Sequence, residues 1–211
     1  MASKLRSTVL EVERKFRRLA VATLTQHGGS PPFRSLRVLP TKRVHDIYYD
    51  KSDALCSAGT WVRLRNGAWE AKVRKGGDRT NSRFEELAET RDIAAAISDV
   101  TGLRATADNA FGLAKMAEFT TTREGWVADD EFHIVRDRTD FGHEVGEVEL
   151  QMEVQEQEGR APTEGEKEKA MADMDRRIVA FMQRYSWAFA KGKPTGKLTA
   201  YFEAKKMREG D

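Results

Sequence analysis

The sequence predicts an α+β fold: antiparallel β-strands whose charged faces look at one another across a closed interior, with helices outside covering the apolar faces. Two observations lead there. Short runs along the chain alternate strictly between apolar and polar residues, the period-two pattern of half-buried antiparallel strands. The polar phase of those runs is charged, and its sign switches from strand to strand. A lone strand of this kind would simply show its charges to water. Recurrence with alternating sign is what points to charged faces opposing each other.

The first strand covers residues 7–16, with Glu11, Glu13 and Lys15 on one face and Leu10, Val12 and Phe16 on the other. Residues 17–26 read as a helix ending at Gly28-Gly29, and Ser30-Pro31-Pro32 is a break. Strand-like segments follow at 34–39 and 42–49, then a loop over 51–59. Trp61–Arg65 and Ala68–Val73 form a hairpin across Asn66-Gly67, a favoured two-residue turn. Trp61, Arg63 and Arg65 share one face of the first arm; in the second, Glu70 and Lys72 oppose Trp69, Ala71 and Val73. Residues 74–82 are basic and glycine-bearing and read as a mobile loop, and 83–87 as a further strand. Helical patterns occupy 91–101 and 107–117. Strands resume at 118–127, 131–137 and 144–154, with a turn at Asp140-Phe141-Gly142; Glu147, Glu149 and Gln151 oppose Val148, Leu150 and Met152. A polar loop over 155–165 leads to the longest helical pattern, 166–188, whose Met171, Met174, Ile178, Phe181, Met182 and Tyr185 recur at helical spacing as core positions. After Gly192–Gly196 the alternation of Lys197, Thr199, Tyr201 and Glu203 against Leu198, Ala200 and Phe202 predicts a last strand.

At 211 residues, the chain reads as one domain over 1–211. Lys+Arg 36 against Asp+Glu 34 leaves a formal net charge of +2, which gives no lopsided basic surface for nucleic acid. Cys56 is the only cysteine, so neither an intramolecular disulfide nor a cysteine zinc cluster is available, and a reducing, cytoplasmic setting fits. No apolar run is long enough to span a membrane, and the amino terminus lacks an apolar signal core.

The polar strand faces yield two sets. The cations are Lys15, Arg63, Arg65, Lys72, Arg123 and Lys197; the anions are Glu11, Glu13, Glu147 and Glu149, with Asp137 a further candidate. Oxygen-rich carboxylate pairs suit a hard divalent ion such as magnesium or manganese. Residues two apart on a strand stand roughly 6–7 Å apart, so two facing pairs are needed to surround an ion. Clustered Arg and Lys suit a chain of phosphates, because guanidinium binds phosphate oxygens two at a time. Solvated strand faces, or an ion-paired lumen without a ligand, are the alternative readings of the same residues.

The motifs resemble the CYTH superfamily, the triphosphate tunnel metalloenzymes, and within it the branch that hydrolyses thiamine triphosphate. The hallmark is E-x-E-x-K, here Glu11-Val12-Glu13-Arg14-Lys15, joined in order by DIYYD at 46–50, WVRLR at 61–65, WEAK at 69–72, FTTTREGW at 119–126, DFGHEVGEVE at 140–149 and KLTAYF at 197–202. The resemblance implies a closed eight-stranded antiparallel barrel with helices packed outside. It implies magnesium, with manganese as an alternative, held by Glu11, Glu13, Glu147 and Glu149. It implies triphosphate contacts from Lys15, Arg63, Arg65, Lys72, Arg123 and Lys197, and a thiazolium ring stacked on Trp61. It also implies proton transfer by Tyr48 and Lys72. The family's metal-associated Asp, seven residues before the glycine of the DFG turn, falls at Val135; Asp137, two residues on and on the same strand face, is the expected substitute. The implied activity is magnesium-dependent hydrolysis of thiamine triphosphate to the diphosphate and phosphate. Rivals are inorganic tripolyphosphate hydrolysis, nucleoside triphosphate hydrolysis or cyclisation, and phosphate binding without turnover. The expected partner is a small organic triphosphate, with no nucleic acid, no membrane and a monomeric chain.

Overall fold

The computed structural model describes residues 7–104, 106–155, 160 and 162–209. Its strands are β1 (Ser7–Phe16), β2 (Leu36–Asp50), β3 (Thr60–Arg65), β4 (Ala68–Gly77), β5 (Asn81–Leu87), β6 (Ala114–Ala128), β7 (Phe132–Thr139) and β8 (Glu144–Gln155). They close in the order β1-β5-β4-β3-β2-β6-β7-β8, and β8 returns to β1 in antiparallel register with Glu13 opposite Glu149 and Lys15 opposite Glu147. Every pairing in the circuit is antiparallel. Closure removes the sheet edges and separates an inward from an outward side chain at each successive position.

The outward apolar phase is covered by helices. Helix α3 (Glu164–Arg184) lays Met171, Met174, Ile178 and Phe181 on Leu10, Val12, Ile134, Val148 and Leu150 of β1, β7 and β8. Its start is fixed by a capping box, in which the Thr163 hydroxyl accepts from the Glu166 amide and the Glu166 carboxylate accepts from Thr163. On the other side, α1 (Ala54–Ser57) and α2 (Thr90–Thr101) pack Leu55, Ile93 and Ile97 on Val62 and Ala71 of β3 and β4. The predicted hairpin turn is present, with Asn66 and Gly67 both at positive φ.

Three predicted elements differ. Residues 17–26 are not helical: the Ala20 amide donates to the Ala188 carbonyl and the Ala190 amide to the Arg18 carbonyl, so the backbone is satisfied by a distant segment rather than by its own turn. Residues 107–112 make only a 3₁₀ turn, ended by Ala110, Phe111 and Gly112 at positive φ; β6 then begins at Ala114, paired with β2. The last segment is a helix, α4 (Lys197–Glu209), not a strand. The barrel is already closed and has no edge to offer, whereas Leu198, Tyr201 and Phe202 form a helical stripe against Phe119 and Phe141. Two further segments are more regular than expected. Strand β2 is continuous through a register shift between Leu39 and Lys42, and the basic stretch 74–82 belongs to the β4–β5 ladder and its turn. Of the predicted polar loop over 155–165, residues 156–159 and 161 lie outside the described residues, and its last residues are instead the Thr163 cap and the start of α3 at Glu164.

Candidate active site

The barrel interior holds a cavity of about 560 Å³. Glu11, Glu13, Lys15, Tyr48, Trp61, Arg63, Arg65, Lys72, Arg123, Glu147, Glu149 and Lys197 all line it, so strand residues far apart in sequence converge as the alternation predicts. Lys197 arrives differently from the others. It stands at the start of α4, where the segment 193–196 crosses one end of the tunnel, tied down by His143 Nε2 donating to the Thr195 carbonyl at 2.8 Å.

Oxygens of Glu11, Glu13 and Glu149 lie within 4.8 Å of one another, and all three carboxylates are buried. Burial, reinforced by the charge of Glu11, pushes Glu149 well above the ordinary carboxylate range; burial likewise raises Glu11, against the opposing pull of Lys72. These carboxylates therefore lack sufficient positive charge, and an oxygen-preferring divalent cation would supply it. Glu147 stands apart. Burial would raise it, but Lys15, Lys197 and Arg123 outweigh that and hold it well below its usual value.

The cations are prearranged by carboxylates. The Arg63 fork donates to Glu70 at 2.9 and 2.7 Å, and Arg65 to Asp46 at 2.7 and 2.8 Å. Lys15 bridges Glu13 and Glu147, the latter at 3.4 Å. Lys72 contacts Glu11, Glu13 at 3.5 Å and Glu86 at 3.3 Å; burial would lower its pKa, but those three carboxylates raise it well above the usual lysine value. Asp137, only 1% exposed, accepts both prongs of Arg123 at 2.7 Å and also receives Lys197. Asp137 thus lies beside Val135 on the inward face as expected, but its oxygens are engaged by two cations and it is not in the three-carboxylate cluster. The Tyr48 hydroxyl accepts from Arg63 Nη1 at 3.4 Å; among the described residues no hydrogen bond joins it to Lys72.

Sequence reasoning missed Glu86, Asp46 and Glu70 as members of this network, and Arg74, Arg79 and Lys193 as cavity-lining cations. Glu86 was legible in principle, since Ser82, Phe84 and Glu86 alternate. The inward Phe84, however, breaks the rule that the inner phase is polar.

This barrel with its inward charges is the CYTH domain, whose family model matches residues 10–176, and the chain belongs to that family. It is 28% identical over 207 residues to human thiamine-triphosphatase, an alignment covering 84% of this chain and 86% of the human protein. Among solved structures it resembles the PH1819 protein of Pyrococcus horikoshii OT3, with a TM-score of 0.51, 15% identity and coverage of 92% of this chain and 98% of that one. It also resembles the Hippeastrum protein HpAC1, in which a triphosphatase activity is dominant, with a TM-score of 0.50, 17% identity and coverage of 92% and 95%. No helix among the described residues is long and apolar enough to cross a membrane.

Proposed function

We propose that this protein is a monomeric, cytoplasmic, magnesium-dependent hydrolase of organic triphosphates, with thiamine triphosphate as its substrate and thiamine diphosphate and phosphate as products. The observation that carries the reading is the juxtaposition, in one cavity of the barrel, of a three-carboxylate cluster and a belt of six cations. The family context agrees, since CYTH members are triphosphatases and cyclases and are generally metal-dependent. The likeness to human thiamine-triphosphatase, together with an indole in the cavity, favours a cationic aromatic leaving group over bare tripolyphosphate.

In this reading Glu11, Glu13 and Glu149 would hold the divalent ion, while Glu147 and Asp137, expected as further ligands, instead position Lys15, Arg123 and Lys197. Magnesium, or manganese in its place, would supply Lewis-acid polarisation of phosphoryl oxygens and help orient water. Arg63, Arg65, Arg123, Lys15 and Lys197 bind phosphate oxygens and neutralise charge developing on the leaving oxygen. Each already has a carboxylate partner, so triphosphate binding is an exchange of anions at these cations. Lys72, surrounded by Glu11, Glu13 and Glu86, and the Tyr48 hydroxyl beside Arg63 are the two proton-bearing groups assigned to proton transfer. Trp61 receives the thiazolium ring.

The test is phosphate release from thiamine triphosphate, inorganic tripolyphosphate and ATP, each with magnesium and with chelator. Magnesium-dependent release, fastest from thiamine triphosphate, is the expected result. Release indifferent to chelator would remove the metal assignment, and no release from any of the three would remove the hydrolase reading.

A further inference from the structure

We propose that Arg74 determines specificity in the tunnel, by occupying the aromatic surface of Trp61 and holding there a positive charge that a cationic ring must displace. The inference rests on the triphosphate reading above and deepens it. The six cations expected from the sequence each have a carboxylate within ion-pair distance. Arg74 also lines the cavity, yet it makes no ion pair among the described residues, and its buried Nε has no hydrogen-bond partner. Its guanidinium carbon instead sits 4.8 Å from the centroid of the Trp61 ring. Phe84 meets the same indole edge-on at 5.7 Å, and the Tyr48–Phe119 cluster packs beside it, so Arg74 takes the surface that a ligand ring would use.

The local backbone is shaped for this placement. A register shift between Arg74 and Gly76 interrupts the β4–β5 ladder at this point, the kind of irregularity that re-aims a side chain. The Arg74 amide donates to the Gly59 carbonyl at 2.8 Å, and a Cβ on Gly59 would stand 3.1 Å from the Arg74 Cβ and 3.8 Å from its Cδ. Gly59, at φ +77°, therefore provides both the turn and the room for the arginine stem.

Two consequences follow from Coulomb's law and the quadrupole of the ring. A thiazolium must displace a like-charged guanidinium that already uses the indole, so Arg74 opposes it. A bare phosphate chain needs no aromatic surface and gains from a cation that no carboxylate holds at ion-pair distance, so Arg74 favours it. Arg74 thus narrows the preference for organic over inorganic phosphate chains.

The test uses diphosphates, which a triphosphatase leaves intact, and compares a ringed with a ringless ligand. Dissociation constants of thiamine diphosphate and inorganic pyrophosphate are measured by calorimetry, with magnesium, for the wild-type protein, Arg74→Gln and Arg74→Lys. Arg74→Gln is expected to raise the ratio of the pyrophosphate Kd to the thiamine diphosphate Kd about three- to tenfold. Arg74→Lys, which keeps charge but loses the planar stack, should fall between. A ratio unchanged within about twofold, affinities that fall together for both ligands, or a wild-type protein that binds neither would each overturn the role. Turnover of thiamine triphosphate, assayed separately, judges the hydrolase reading: binding with a shifted ratio but no turnover would remove that reading and leave Arg74 as assigned.

Discussion

Asp137→Asn is the most searching perturbation of this interior. The side chain is 1% exposed, and its two oxygens hold the Arg123 fork at 2.7 Å and the Lys197 ammonium. The amide is nearly isosteric but loses the charge, and it must turn an NH₂ donor towards one of two cations that only donate and offer it no acceptor. Breaking a buried ion pair from one side costs about 3–5 kcal/mol. The Arg123 and Lys197 side chains retain 22% and 10% exposure and Arg123 keeps Glu147 at 3.8 Å, so about 2–4 kcal/mol is the more suitable range here. For a domain of 211 residues each kcal/mol moves the melting temperature about 2–4 °C, so a fall of roughly 4–16 °C is expected in the presence of chelator. Thermal unfolding with EDTA, then with magnesium, measures it. A fall below about 2 °C in EDTA would refute the anchoring argument. If the magnesium-induced rise vanished at the same time, Asp137 would be assigned to metal ligation instead.

Glu149→Gln and Glu11→Gln each remove one charge from the three-carboxylate cluster, so magnesium should raise the melting temperature of either variant much less than that of the wild type; an equal rise would dismiss the cluster as the metal site. The pH dependence has two limbs. Asp46, Asp137 and Glu147 titrate below their ordinary values of 3.8, 3.8 and 4.5, so their contribution is present above that range and is lost as pH falls further. Glu11 and Glu149 are raised above 4.5, so the unfolded chain releases their protons first, and chelated protein should lose stability as pH climbs from about that value through their folded pKa. Melting curves from acid to neutral pH in EDTA should therefore decline on the upper side, and Glu149→Gln should flatten that decline; a rise would reverse the sign of the argument. Trp61→Ala should raise KM for thiamine triphosphate between a few-fold and about thirtyfold while tripolyphosphate hydrolysis hardly changes, and equal losses on both would make Trp61 part of the wall.

The alternation of Glu11-Val12-Glu13-Arg14-Lys15 and of Glu147 to Met152 determined on its own which side chains face inward, because strand geometry leaves only two directions. With the same alternation in the other strands, that was sufficient to gather five of the six cations and the four glutamates; Lys197 enters the cavity from the start of α4 instead. The sequence also identified α3 from its apolar spacing, while the Thr163 cap that starts the helix lay within the predicted loop. It could not decide KLTAYF at 197–202, since a run this short satisfies both a period of two and a period of 3.6; closure of β8 on β1 decided it by leaving no edge to pair with. Nor could it show which charges neutralise which. Asp137 read as a spare metal ligand because its strand phase was right, yet its partners come from β6 and α4, and only the barrel's circumference brings them to it. The same holds for Arg74 and Trp61. Each was visible as a residue in a strand or beside one, but their stacking depends on a register shift and a glycine at position 59, which are properties of the paired strands rather than of either segment alone.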